Sequence, residues 1–174
     1  VSSWEDGVLN REALSELYEY GDFVWAAYDR SVRALPEGSI GKALPGSGWP
    51  ALFDAFRHIV SGTDGWLHNA LGLGPVLVEK PEALGDWAAV DALRRQLRDE
   101  IARLLAELSD DELSVARHKV FPESPRATMT VADVLLHLAL HDRGHFGDIS
   151  TLLYQLGAEP PAADYVVYYF LRQR

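Results

Sequence analysis

Three histidines near the C-terminal end, His137, His141 and His145, stand four residues apart. On a helix, residues i and i+4 share a face one turn apart, so two such imidazoles can converge on one point. Each such step also rotates about 40° further round, so a straight helix cannot easily aim all three at one centre. Leu138, His141, His145, Asp148 and Leu152 step by three or four along the stripe that should meet a core. His141 and His145 therefore interrupt an apolar seam, where unpartnered imidazoles are costly. His137 lies one turn earlier, nearer the edge. Spacing alone leaves two readings open: core histidines bonded to backbone or carboxylates, or a ligand pair that needs a third member.

His58 is the candidate third member. Ala51, Ala55 and Gly62 share its side at helical spacing and leave a groove that could admit an ion or a ligand. Three neutral imidazoles from two facing helices suit a divalent ion, Zn²⁺ or Ni²⁺ first and Fe²⁺ or Mn²⁺ as alternatives, with open positions for water or substrate. His68 and His118 have no comparable setting and read as surface or capping residues.

Positioning these side chains requires long helices, and the periodicity supplies them. Leu14, Leu17, Val24, Tyr28, Val32 and Leu35 draw one apolar stripe from about Asn10, a plausible N-cap, to the stop at Pro36-Glu37-Gly38. After a glycine-rich connection, Trp49-Pro50 predicts the start of a second helix, with proline in its first turn and an end near Leu71. Gly62 and Gly65 inside it cost about 1 kcal/mol each relative to alanine, which implies a kink or room for something against the helix. Asp86 can cap a third helix running to Leu108, and Ser109-Asp110-Asp111-Glu112 has capping-box form. Between Val115 and Met129, Val120, Phe121, two prolines and β-branched residues predict a short hairpin or an irregular crossover. The histidine-bearing helix runs from about Thr130 to Leu156 and ends at Gly157. Pro160-Pro161 leads into a last segment, from Ala162 to Arg174, that carries Tyr165, Tyr168, Tyr169 and Phe170. The expected fold is all-α: a single domain over 1–174 forming an up-down four-helix bundle, with the crossover before its last long helix and a C-terminal helical tail.

The formal net charge of −10 repels phosphate backbones and argues against nucleic-acid binding. Arg94, Arg95, Arg98 and Arg103 are interleaved with Asp91, Asp99 and Glu100 and read as the solvated face of a helix. No apolar run reaches the roughly 18 residues needed to span a bilayer, and Val1-Ser2-Ser3-Trp4 lacks the pattern of a signal peptide. There are no cysteines, which excludes disulfides and thiolate chemistry of the chain's own and fits a reducing cytoplasm.

Together these residues resemble the DinB/YfiT-like superfamily of four-helix-bundle metalloenzymes. The segment TVADVLLHLALHDRGHFGDISTLLYQLGAEPPAADYVVYY is similar to the family's HxxxH, glycine, leucine-rich turn, double proline and Asp-Tyr. FRHIVSGTDGWL resembles its ligand histidine followed eight residues on by tryptophan, here His58 and Trp66, and YEYGDFVWAAYDRSVRALPEG is similar more loosely. The resemblance implies a metal triad of His58, His141 and His145, with Trp66 and His137 as possible pocket residues. It departs at His145-Phe146-Gly147-Asp148, where the family commonly has His-Arg-Gly-Gln. Asp148 is thereby a candidate partner of a ligand imidazole or a fourth ligand, with a plain exposed carboxylate as the alternative.

The resemblance also implies metal-dependent transfer of a low-molecular-weight thiol to a small electrophilic substrate, held near Trp66 and the C-terminal tyrosines. Two other activities fit the same residues. One is hydrolysis by a metal-bound hydroxide, with Asp64, Asp142 and Asp148 as candidate bases. The other is non-catalytic metal or ligand binding in a stress protein. Homodimers are common among such relatives, and the aromatic tail is a candidate interface.

Overall fold

The computed structural model describes residues 9–119 and 128–173, and of 116–119 the backbone alone. The signal-peptide reading at residues 1–4 and the crossover residues Val120 and Phe121, with both prolines, lie outside the described residues. Four long helices form the bundle: α1 (Arg11–Arg33), α2 (Leu52–Gly65), α3 (Trp87–Glu107) and α5 (Val131–Gln155). A short α4 (Asp110–Leu113), strands β1 (Ala116–Lys119) and β2 (Thr128–Thr130), and a tail helix α6 (Tyr165–Arg172) complete it. α1 packs on α3 and α5, and α2 packs on the same two helices, so all four share one core. Leu14, Phe56, Ile59, Leu97, Leu138 and Ile149 are among its fully buried members.

Local sequence explains where the helices begin. The Asn10 side chain accepts a hydrogen bond from the Ala13 amide at 2.9 Å, and Asp86 accepts one from Ala89 at 2.8 Å. Ser109 and Glu112 close a capping box at α4. Thr130 and Asp133 close a second one at α5, an end set by the chain's own side chains just ahead of the histidines. β1 and β2 pair antiparallel, the short hairpin expected before the last long helix, with a register irregularity between Ala116 and His118.

Two expectations are corrected. The second helix does not open on Pro50: Ala51 is the N-cap, and Trp49 and Pro50 belong to the preceding loop. Its helical path ends near Leu71 as expected, through a π-helical turn over Trp66–Ala70 that follows Gly65. The arginine row of α3 is not simply a solvated face. Arg94 and Arg98 lie largely buried against Asp22 of α1, leaving Arg95 exposed beside Asp91. Among the described residues no helix is long and apolar enough to cross a membrane.

Candidate metal centre

Where α2 crosses α5, three imidazoles meet. His58 comes from the middle of α2; His141 and His145 come from successive turns of α5. The Nε2 of His141 lies 3.1 Å from the Nε2 of His58 and 3.1 Å from the Nε2 of His145. The helices can approach this closely because Gly62 has no side chain. A Cβ there would stand 3.3 Å from Cε1 of His141. The room predicted at a helical glycine is thus filled by a ligand-type ring, whereas Gly65 faces no such neighbour.

The donor chemistry of the cluster fits a cation. Nδ1 of His145 lies 3.1 Å from Oδ2 of Asp148, and Nδ1 of His141 lies 3.5 Å from Oδ1 of Asp142. A carboxylate can only accept, so it favours the proton on Nδ1 and leaves the lone pair on Nε2. Nitrogens that face one another at 3.1 Å with their lone pairs inward repel unless a proton or a metal ion lies between them. The three nitrogens lie within 4.8 Å of one another, close enough to share one ion. Withdrawal from water, followed by the nearby His145 and His141, holds the His58 pKa below its usual value. The cluster therefore favours the neutral, ligating form of that ring.

Carboxylates stand behind the rings. Asp148 is 47% exposed and sits at Nδ1 of His145, on the far side of the ring from the convergent Nε2. Asp142 lines a cavity of about 60 Å³ inside the bundle. A third of its side-chain surface, 33%, is exposed, and desolvation raises its pKa. His137 does not join the cluster. Its ring packs on Trp66 with centroids 4.5 Å apart and lies 6.0 Å from the ring of His141, and burial, then His141, lowers its pKa. Trp66 and His137 thus flank the histidines on one side.

Trp49 flanks them on the other, a residue that spacing did not single out. Its ring centroid is 5.2 Å from that of His58 and 5.2 Å from that of His145. It lies in a loop, outside any periodic pattern, so only the folded chain brings it there.

Of the surface and capping readings of His68, the surface one is corrected: the residue is buried, 6% exposed. Its Nδ1 lies 2.7 Å from Oδ1 of Asp64, and its Nε2 lies 3.4 Å from Oε2 of Glu100. Asp64 itself is fully buried and accepts from the amides of Leu77 and Val78, so it is committed to holding that loop. The side chain of His118 lies outside the described residues. The C-terminal tyrosines engage α1: Tyr165 bonds Glu16, Tyr168 bonds Glu19, and both rings contact Tyr20.

The chain resembles known proteins at two levels. In structure it is similar to a DinB-like protein from Bacillus cereus, with a TM-score of 0.63 at 18% identity, covering 90% of this chain and 99% of that one. At this identity the likeness speaks for the fold. No curated protein matches the sequence. The family model described as the DinB family matches residues 9–174, and so takes in all three clustered histidines. The chain belongs to the DinB family.

Proposed function

We propose that His58, His141 and His145 hold one divalent metal ion, and that the site transfers a low-molecular-weight thiol to a small electrophile. The observation that carries the metal reading is the convergence of three Nε2 atoms, two of whose rings have a carboxylate at Nδ1. Three neutral imidazoles favour Zn²⁺ or Ni²⁺, with Fe²⁺ or Mn²⁺ as alternatives. When bound, such an ion supplies Lewis acidity, which brings the pKa of a coordinated thiol or water toward neutrality.

The chain's own residues do the rest. Asp148 and Asp142 keep the imidazole protons on the outer nitrogens, so the inner ones are free to ligate. Trp49 on one side, and Trp66 with His137 on the other, offer apolar walls for an uncharged electrophile and limit water. The thiol proton leaves to solvent, the sulfur forms a C–S bond, and the acceptor's leaving group departs with its electron pair.

Transfer is favoured over hydrolysis because the candidate bases are engaged, Asp142 among them at Nδ1 of His141. Asp64 is sealed under two backbone amides, and Asp148 already accepts from two ring nitrogens. A thiol, more acidic than water, depends less on such a base. The exposed α6 residues Val166 and Phe170 are the proposed contact of a homodimer, which light scattering after size exclusion would reveal.

The test is elemental analysis of untagged protein, followed by assay of the metal-loaded form with a thiol panel and a generic electrophile. One metal ion per chain and strictly thiol-dependent turnover, lost in His58→Ala, is the expected result. Turnover of esters without thiol would replace transfer by hydrolysis, and a metal content near zero after reconstitution would remove the site.

A further inference from the structure

Asp148 is nearly half exposed, at 47%, so water competes for both its oxygens and its hold on His145 is weak by itself. A second donor meets it on the same atom. The indole Nε1 of Trp49 lies 3.1 Å from Oδ2 of Asp148, the oxygen that also faces Nδ1 of His145 at 3.1 Å. An indole has one polar hydrogen and can only donate, so this contact has a single sense.

The loop that carries Trp49 is built to hold it. The hydroxyl of Ser47 lies 2.8 Å from the Leu44 carbonyl and 2.7 Å from that of Trp49, while the Trp49 amide donates to Ser47 Oγ at 3.2 Å. The Leu44 amide closes the loop on the Pro50 carbonyl at 3.1 Å. Gly46 and Gly48 supply the left-handed backbone, with φ of 80° and 81°, that a side-chain-bearing residue would resist. The same ring packs against His58 and His145, so one residue of the α2 approach touches ligand candidates from both helices.

We infer that Trp49 is a positioning residue: its indole N–H fixes the Asp148 carboxylate on Nδ1 of His145, which aims Nε2 into the cluster. This rests on the metal reading of the three histidines. It also assigns Asp148 a role behind the ligand, leaving the remaining coordination positions for substrate.

The test is a double-mutant cycle read as metal affinity, with Zn²⁺ competed against a chromophoric chelator. Asp148→Asn should weaken binding by roughly tenfold or more. Trp49→Phe, which keeps an aromatic ring and removes the N–H, should weaken it by about threefold to tenfold. Because the indole acts through the carboxylate, the double variant should be no weaker than Asp148→Asn alone. Wild-type affinity in Trp49→Phe, or losses that multiply in the double variant, would overturn the inference.

A second readout needs no metal. The indole ¹H–¹⁵N resonance that disappears in Trp49→Phe should shift in the Asp148→Asn apoprotein, and an unmoved resonance would overturn the contact. A wild-type chain that binds no Zn²⁺ while that resonance does shift would sink the metal reading, and the positioning role with it, but not the contact. Thermal melts of each variant confirm that folded protein is being compared.

Discussion

Two histidine groups lie along the same run of chain, and their chemistry is opposite. At His68 both ring nitrogens face carboxylates, Asp64 at 2.7 Å and Glu100 at 3.4 Å, and the ring is almost wholly buried. At the other group the Nε2 of His141 meets those of His58 and His145, with part of the cluster open to solvent. The first is a buried polar group that joins the π-helical turn to α3 and, through Asp64, to the amides of Leu77 and Val78. The second leaves its acceptors facing one another, an arrangement that becomes favourable when a cation is shared. A histidine is therefore read by what its nitrogens face as well as by its burial.

The contrast can be broken at its strongest point first. His58→Ala should reduce metal binding by about 100-fold or more, because one of three ligands is gone, while the melting temperature of the apoprotein changes little. Chelator competition and a thermal melt check both halves. If affinity persists, the cluster is not the site.

His68→Ala should do the reverse. Removing the ring leaves Asp64 and Glu100 without their shared partner, and breaking such a buried pair costs about 3 kcal/mol. Denaturant unfolding should show that loss, with metal stoichiometry unchanged once the variant is folded. Equal damage to metal binding would mean that the two groups are one network.

Gly62→Ala probes how close the helices must come. The new Cβ would press on Cε1 of His141 at 3.3 Å and displace a ring whose position sets the cluster. Metal affinity should fall by roughly tenfold, whereas stability changes by less than about 1 kcal/mol because helix propensity improves. Calorimetric titration and a melt separate these effects.

The smallest expected effect is the pH response of the apoprotein. The pKa values of His58 and His137 are lowered in the folded chain from the usual 6.5. Below that value the unfolded chain takes up protons that the folded one resists, so stability falls as pH drops from 6.5 toward the lowered pKa values. The contribution is fully present above 6.5. Urea unfolding of metal-free protein at pH 7.5 and 5.5 should show the decrease, and His58→Ala should shrink it. A pH-independent midpoint would contradict it.

Much of the frame is legible in the sequence for local reasons. Asn10, Asp86 and Ser109 cap helices where their side chains reach the next amides, and the 3.6-residue apolar stripes face the core. The clustering of His141 and His145 follows from i, i+4 spacing on such a stripe. The π-helical turn is legible only as the kink implied at Gly65, since nothing within Trp66–Ala70 distinguishes it from ordinary helix. The burial of His68 is not legible for a similar reason: its partner Glu100 lies on another helix, invisible to spacing.

What the sequence determined by itself is set by short-range stereochemistry: the helices, their caps, and a pair of imidazoles on one face of α5. The tertiary structure alone decided which groups meet across elements. It carried His58 to that pair through the gap at Gly62 and buried His68 between two carboxylates. It also swung Trp49 from a loop onto Asp148. Side-chain periodicity fixes direction within one helix, but contact between helices depends on how closely and in what register their backbones pack, which no single segment encodes.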